Sequence, residues 1–143
     1  MLISDKELAA LLGEVKTIAI VGAKDKPGQA VDRVGRHLMQ AGYTVIPVHP
    51  TRSGVWGLPT YKSLLDIPHP VDLVDLFRAS EFCPGHAQEV LAMATPPRCF
   101  WMQSGIFSAE ARALLTSKPI TVIEDRCLMV DHARLIASGG QRG

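Results

Sequence analysis

The strongest constraint on the fold is a short, mostly apolar run, Thr17–Val21, which is followed at once by Gly22. Unbroken apolarity of this length is typical of a strand that is buried on both faces, as in parallel sheets. Apolar residues at helical spacing begin near Ala30, and Gly42 closes that pattern. The sequence therefore predicts a strand, a loop over residues 22–28 that opens on a glycine, and a helix.

Short apolar runs and helical patterns alternate along the rest of the chain. Further strands are predicted at residues 43–48, 71–77, 98–102 and 120–123, with a short extended segment at 60–61. Helices or helical turns are predicted at residues 4–13, 62–67, 84–94, 108–116 and 128–136. This alternation predicts an α/β fold: a Rossmann-like, doubly wound, mainly parallel sheet with helices on both faces. One domain would occupy residues 1–143, with a core at about 15–136 and a flexible tail at 138–143.

Composition narrows the class of protein. Apolar residues form 47% of the chain, which indicates a globular protein, and the net charge of +1 gives no general attraction to nucleic acid or to membranes. No apolar run approaches the roughly 20 residues that span a bilayer, and the first residues do not resemble a signal peptide. Three widely spaced cysteines without a CxxC pair argue against zinc and favour a reducing, cytoplasmic location. The sequence leaves open whether the chain forms a homodimer.

In doubly wound sheets, ligands bind beyond the carboxyl ends of the strands. The segments there are residues 22–28, 49–52, 77–80, 103–105 and 124–127. The first one places Gly22 before a helix start, where free N–H groups attract anions, and adds Lys24 and Lys26. It predicts a phosphate site; the alternative is an ordinary turn with solvated lysines. Arg33, one turn into the helix, either contacts the phosphates or lies in solvent.

The second of these segments distinguishes between nucleotide cofactors. The first loop lacks the GxGxxG pattern, because the glycine after Gly22 is Gly28. A domain that binds NAD needs an acidic residue after the second strand, whereas this chain has His49, Pro50 and Arg52 there. A cation at this place suits a phosphorylated ribose, as in coenzyme A or NADP.

Several segments together carry a family resemblance. They are residues 18–22 with Pro27, residues 42–50, residues 70–78, residues 101–105 and residues 125–127. In this order and spacing they resemble the small bacterial and archaeal CoA-binding proteins of the YccU type. The single domain of those proteins is similar to the CoA-binding domain of the succinyl-CoA synthetase α subunit. The resemblance covers about residues 17–135.

The resemblance implies a Rossmann-like domain that binds coenzyme A or an acyl-CoA. It assigns binding roles to Gly22, Ala23, Lys24, His49, Pro50, Arg52, Phe77 and Arg78, and places Trp101, Gln103 and Gly105 along the same edge. The family usually has Asn where this chain has His49, and a small polar residue where it has Lys24. The resemblance therefore implies a ligand but no reaction.

Catalysis is the weaker interpretation of the remaining residues. Cys127 beside Arg126 could be a reactive thiol with His132 as its base, but we favour a packed turn at Cys127 and an ion pair between Asp125 and Arg126. Cys83 could instead form a mixed disulfide with the CoA thiol. The leading hypothesis is a non-catalytic carrier, sensor or regulator; the alternatives are an NADP-binding oxidoreductase and a redox-responsive protein.

Four other polar residues have expected places. Asp72 and Asp75 interrupt the third strand, and at least one should hydrogen bond to a neighbouring segment. His37 and His86 lie on predicted helices and are expected at the surface.

Overall fold

The computed structural model describes residues 3–137, so the predicted tail at 138–143 lies outside the described residues. Within that range, five parallel strands form one sheet in the order β2-β1-β3-β4-β5. The strands are β1 Thr17–Val21, β2 Thr44–Val48, β3 Leu73–Leu76, β4 Cys99–Met102 and β5 Thr121–Ile123. The helices are α1 Asp5–Glu14, α2 Ala30–Gln40, α3 Cys83–Ala92, α4 Ala109–Leu115 and α5 Leu128–His132, which continues into a wider turn over Ala133–Ala137. This arrangement confirms the predicted fold class.

Local signals in the sequence set the helix starts. Ser4 accepts a hydrogen bond from the Glu7 N–H at 3.1 Å, and Glu7 returns the contact to form a capping box at α1. Ser108 accepts from the Ala111 N–H at 3.1 Å and starts α4. Pro84 lies in the first turn of α3, where its missing N–H costs nothing.

The predicted strands after β1 are all shorter in the structure, by one residue for β2, β4 and β5 and by three for β3. The segment at residues 60–61 is a single bridge between Tyr61 and Val48. β3 begins at Leu73. The Asp72 side chain just before it accepts from the N–H groups of Lys16 and Thr17 at 2.9 and 3.0 Å, and the Asp72 N–H donates to the Thr17 carbonyl at 3.0 Å. This contact ties the start of β1 to the start of β3, and it confirms that one of the two aspartates bonds to a neighbouring segment.

The two faces of the sheet carry separate apolar clusters. Ile18, Ile20 and Trp101 pack in the cluster that includes buried side chains of α1 and α2, whereas Val74 and Phe100 pack in the cluster that includes α3 and α4. Trp101 is fully buried, and its indole N–H donates to the Arg126 carbonyl at 2.7 Å. Trp101 is therefore a core residue, which corrects its predicted place along the binding edge.

The core also holds a carboxyl group. Asp75 is fully buried in β3, and neither of its side-chain oxygens has a hydrogen-bond partner among the described residues. Burial raises the pKa of Asp75 well above its ordinary value, because a charge without a partner is strongly disfavoured in an apolar medium. Burial therefore favours the neutral, protonated form of Asp75.

Two histidines expected at the surface are half-buried. His37 Nε2 lies 2.9 Å from His132 Nδ1 and links α2 to α5, and His86 Nδ1 lies 2.6 Å from Glu89 Oε1. The surface prediction is therefore wrong for both, because partners on neighbouring turns and helices hold their rings. Among residues 3–137, no helix has the length and apolarity that a membrane crossing requires.

Candidate functional site

The sheet reverses its winding between β1 and β3, and the loops after these strands meet there. The first loop (residues 22–28) leads to α2, and the third loop (residues 77–82) leads to α3. At Gly22, where φ is 86°, an added Cβ would lie 2.9 Å from the Phe77 carbonyl oxygen and 3.3 Å from Arg78 Cδ. Gly22 is therefore required by close approach of the two loops as well as by its backbone conformation.

The backbone amides at the start of the first loop are already occupied. The N–H groups of Gly22 and Ala23 both donate to the Val48 carbonyl, at 2.9 and 3.2 Å, and the Ala23 side chain is fully buried. The predicted phosphate contacts of Gly22 and Ala23 are therefore corrected: these amides anchor β2. In the part of the chain that the structure describes, no backbone carbonyl accepts from the N–H groups of Lys24 or Lys26, so the free amides begin at Lys24.

Cations from three loops converge at this edge. Burial lowers the pKa of His49, and the nearby charges of Arg52, Lys24 and Arg78 lower it further. Among the described residues, no carboxylate lies within 4.0 Å of Lys24 or Arg78. Like charges that are gathered without counter-charges form an electrostatic site for an anion.

His49 shapes the second loop (residues 49–59) rather than adding charge to it. Its Nδ1 atom accepts from the backbone N–H groups of Thr51 at 3.1 Å and Arg52 at 3.0 Å. Because a backbone N–H can only donate, Nδ1 carries no proton, and the ring is the neutral tautomer with its proton on Nε2. The ring thus fixes the backbone that carries Arg52, while Pro50 between them is exposed.

The first and second loops are tied together by Asp25. One of its oxygens lies 4.0 Å from Arg52 Nη1, and the other accepts from the Trp56 N–H at 3.3 Å. No acidic residue directly follows β2 in the sequence, but the fold places the Asp25 carboxylate of the first loop near Arg52. Arg52 consequently lies beside the first loop.

Trp56, Asp32 and Gly35 form a contact that the sequence analysis missed. The Trp56 indole N–H donates to Asp32 at 2.8 Å, and an added Cβ on Gly35 would lie 2.3 Å from the indole ring. Burial alone would raise the pKa of Asp32, but hydrogen bonds from Trp56 and Arg36 outweigh it, and the pKa is lowered. Gly35 in the middle of a predicted helix was the available signal, because such a glycine often marks close packing.

Arg33 and Lys26 lie at the helix start of α2. Arg33 Nη1 donates to the Gly28 carbonyl at 2.8 Å, so this side chain folds back and closes the first loop. Lys26 is exposed, and its carbonyl accepts from the Gln29 N–H at 3.1 Å. Arg33 therefore braces the first loop and Lys26 lies exposed in it, while a phosphate contact of either residue stays a prediction.

On the β4 side, the predicted residues divide into structural and exposed positions. Gln103 is buried, and its Oε1 accepts from the Leu128 N–H at 3.0 Å, so it braces α5 instead of lining the edge as predicted. Gly105 is exposed, and its N–H donates to Asp125 at 2.6 Å. Arg126 pairs with Asp131 at 2.9 Å and not with Asp125, so the predicted ion pair is wrong.

The cysteines and His132 do not form a reactive group. Cys83 is fully buried, and burial raises its pKa to about 11, which opposes thiolate chemistry with a CoA thiol. Cys127 is half-buried at the start of α5, as the predicted packed turn requires, while His132 is held by His37. Within the described residues, no cluster of three or more potential side-chain ligands forms a metal site.

A doubly wound sheet with convergent cations at its switch point defines a class of nucleotide-binding domains. Residues 16–133 match the family model described as a CoA binding domain, and the chain belongs to this family. The family assignment confirms the resemblance that the sequence segments indicated.

Individual relatives agree with this family. The chain is 40% identical to the uncharacterized protein YneT of Bacillus subtilis over 130 residues, which covers 91% of this chain and 95% of YneT. A solved structure from Thermus thermophilus has 42% identity and a TM-score of 0.87, and the match covers 94% of this chain and 100% of that one. The ADP-forming 4-hydroxybutyrate–CoA ligase of Nitrosopumilus maritimus is 42% identical over 60 residues, covering 41% of this chain and 8% of the ligase.

Proposed function

We propose that this chain binds coenzyme A or an acyl-CoA at the switch point of its sheet. Lys24, Arg52 and Arg78 would contact the phosphates, together with the free amides of the first loop. The observation that carries this proposal is that cations from three loops meet at the switch point. Arg78 Cδ would lie 3.3 Å from a Cβ on Gly22 at the start of the first loop, and Arg52 Nη1 lies 4.0 Å from Asp25, the neighbour of Lys24. Lys24 and Arg78 have no carboxylate partner within the described residues, so an anionic ligand would supply the missing charge.

The choice of coenzyme A over NAD rests on Arg52. This cation occupies the place where an NAD-binding domain has an acid for the ribose hydroxyls, and it suits a phosphate on that ribose. Asp25 lies 4.0 Å away and offsets part of the charge of Arg52, but Lys24 and Arg78 keep the edge positive. NADP also carries a phosphorylated ribose, so it is the alternative ligand, and the family assignment favours coenzyme A.

The proposed role is that of a carrier, sensor or regulator in the cytoplasm. The ligase match covers 8% of that enzyme, so its activity is not transferred to this chain. The three cysteines are unpaired, which fits a reducing compartment. A small-molecule nucleotide is the partner that this proposal requires, and it leaves the oligomeric state open.

Isothermal titration calorimetry with CoA, 3′-dephospho-CoA and NADP⁺ tests the ligand. We expect CoA to bind most tightly, with at least about a tenfold loss when the 3′-phosphate is removed, because one charge-assisted contact is lost. Arg52→Gln should abolish this difference. Arg98→Gln is the matched control, because Arg98 pairs with Glu14 before the start of β4. Equal binding of all three ligands, or of none, would contradict the proposal; tighter binding of NADP⁺ would favour an oxidoreductase.

The mixed-disulfide alternative has its own test. Mass spectrometry of the purified chain, with and without reductant, detects a CoA-sized adduct. We expect CoA to be released by denaturation alone, as for a non-covalent ligand. An adduct that needs reductant for release, and that is absent in Cys127→Ser, would support the redox-responsive alternative through the half-buried Cys127.

A further inference from the structure

The carboxyl edge of the sheet is divided by polarity. The loops after β1, β2 and β3 carry four cationic side chains and two carboxylates, together with the neutral ring of His49. The cations are Lys24, Lys26, Arg52 and Arg78, and the carboxylates are Asp25 and Glu81. The fourth loop (residues 103–107), which follows the adjacent strand β4, contains no charged residue. A ligand that crosses the edge from the β2 side to the β4 side therefore passes from a mainly cationic surface to a loop that has no charge of its own, although the Asp125 carboxylate accepts from its Gly105 N–H.

Two exposed aromatic residues lie where the third and fourth loops meet. Phe82 is 45% exposed at the end of the third loop, and Phe107 is 59% exposed at the end of the fourth loop. The Phe107 N–H donates to Ser80 Oγ at 3.0 Å, which fixes one loop against the other. We name Phe82 and Phe107 the aromatic shelf.

The aromatic shelf is continuous with the cation cluster. The Arg78 guanidinium carbon lies 4.3 Å from the centre of the Phe82 ring, while the same side chain passes Gly22 at the switch point. Arg78 therefore connects the phosphate side of the edge to the apolar side. Exposed apolar area that adjoins a polar site is typical of a surface that a ligand covers.

We propose that the aromatic shelf receives the acyl chain of an acyl-CoA thioester, an inference that rests on the proposed function. Coenzyme A has a highly charged nucleotide half and an uncharged arm that ends in its thiol. With the phosphates on Lys24, Arg52 and Arg78, the arm reaches uncharged surface in the direction of the fourth loop. An apolar acyl group at its end would cover Phe82 and Phe107 and remove them from water.

Calorimetry with CoA and octanoyl-CoA tests this inference. We expect octanoyl-CoA to bind the wild-type chain at least about tenfold more tightly, the effect of removing roughly two methylene groups fully from water. Phe107→Ser should reduce that advantage at least about threefold and leave CoA affinity unchanged. Phe107→Leu should restore it, because the side chain is apolar again. Leu65→Ser is the matched control, since Leu65 is 52% exposed and lines a different, apolar pocket between residues 64–70 and 92–95.

The outcomes separate the two proposals. If the wild-type chain binds neither ligand, the proposed function fails and this inference fails with it. If CoA binds and octanoyl-CoA binds no better, or if Phe107→Ser weakens both ligands equally, only the acyl site is overturned. If Phe107→Ser leaves the octanoyl advantage intact and changes the oligomeric state in light scattering, the shelf is an interface between copies, which also overturns the acyl site.

Discussion

The two edges of the sheet treat polar side chains in opposite ways. At the amino edge, Asp72 accepts from two backbone N–H groups, and the Tyr43 hydroxyl donates to the Leu12 carbonyl at 2.7 Å. At the carboxyl edge, Lys24 and Arg78 gather near His49 with no carboxylate partner in the described residues. The contacts at the amino edge therefore stabilise the fold, whereas Lys24 and Arg78 at the carboxyl edge have no counter-charge among the described residues.

Backbone strain is divided between the edges in the same way. Among the described residues, only Trp56 and Asp125 have a positive φ without being glycine, at 55° and 56°, and both lie in carboxyl-edge loops. Each is held by contacts that fix its loop: Trp56 bonds to Asp25 and Asp32, and Asp125 to Gly105. Such strain persists where surrounding contacts over-determine the conformation, and it is concentrated at binding sites.

The largest effect on stability is expected where the first and third loops nearly touch. Gly22→Ala places a Cβ 2.9 Å from the Phe77 carbonyl oxygen at a φ of 86°. We expect a loss of about 3–4 kcal/mol in the free energy of unfolding, from backbone strain and the clash together. Chemical denaturation followed by circular dichroism measures this loss.

Gly28→Ala is the matched control for that substitution. Gly28 has nearly the same φ, 90°, but an added Cβ would meet nothing within 4 Å. It should therefore lose only the conformational part, about 1–2 kcal/mol. Equal losses for the two variants would show that the approach of the third loop is not what requires Gly22.

The contact between the second loop and α2 should show the next largest effect. Gly35→Ala puts a Cβ 2.3 Å from the Trp56 ring, so the indole must leave and its hydrogen bond to Asp32 is lost. We expect about 2–3 kcal/mol of destabilisation and a red shift of Trp56 fluorescence. Gly85→Ala is the control, because its Cβ would meet nothing within 4 Å and alanine favours the helix. An unshifted spectrum in Gly35→Ala would contradict this contact.

At the amino edge, Asp72→Ala tests how much the paired contacts contribute. It leaves the N–H groups of Lys16 and Thr17 without their acceptor, and we expect a loss of about 1–2 kcal/mol in thermal or chemical unfolding. Asp72→Asn should recover most of it, because the amide oxygen also accepts. Ligand affinity should not change in either variant. A loss of affinity would contradict the assignment of stability to the amino edge and ligand binding to the carboxyl edge.

The sequence predicts the pattern of strands and helices well, because that pattern depends on local periodicity. β1 has the predicted bounds, and Ser4 and Ser108 cap helices where their spacing indicates. The structure departs most from the predicted strands at β3, which spans Leu73–Leu76. Asp72 in an otherwise apolar run indicates a side-chain hydrogen bond, but no local signal reports that its acceptor oxygen joins the start of β1.

The same contrast between local pattern and tertiary packing decides which residues of the candidate site could be predicted. Lys24, Arg52 and Arg78 follow three strands, so parallel topology alone predicts that they meet. Whether Trp101 and Gln103 face the edge or the core depends on register and helix packing, and both turned out to be buried. β2 ends at Val48, as predicted, but the occupied amides of Gly22 and Ala23 depend on the register that pairs Val21 with Val48. Such a register between two distant strands has no local signal in the sequence.

The smallest expected effect is that of pH on the free energy of unfolding, and it again compares the two edges. The pKa values of His49 at the carboxyl edge and His132 near the amino edge are both below 6.5, the ordinary value, chiefly through burial. Below about pH 6.5 the unfolded chain takes up protons that these folded rings resist, so stability falls as the pH decreases toward the folded pKa values. We expect each ring to contribute about 1 kcal/mol or less.

CoA should separate these two contributions. Bound phosphates offset the charges of Lys24, Arg52 and Arg78, so they should raise the pKa of His49. The contribution of His49 to the loss of stability in acid should then decrease. The pKa of His132 is lowered by burial and by His37, so it should not change when CoA binds. Denaturation at pH 8 and pH 5.5 measures how much the free energy of unfolding changes with pH. It is compared for the wild-type chain without ligand, His49→Asn and His132→Asn. The amide oxygen of Asn at position 49 preserves the loop contacts. Imidazole titration by nuclear magnetic resonance, with and without CoA, then assigns each share. A ligand-induced shift at His132 equal to that at His49 would place the phosphates away from the three cations.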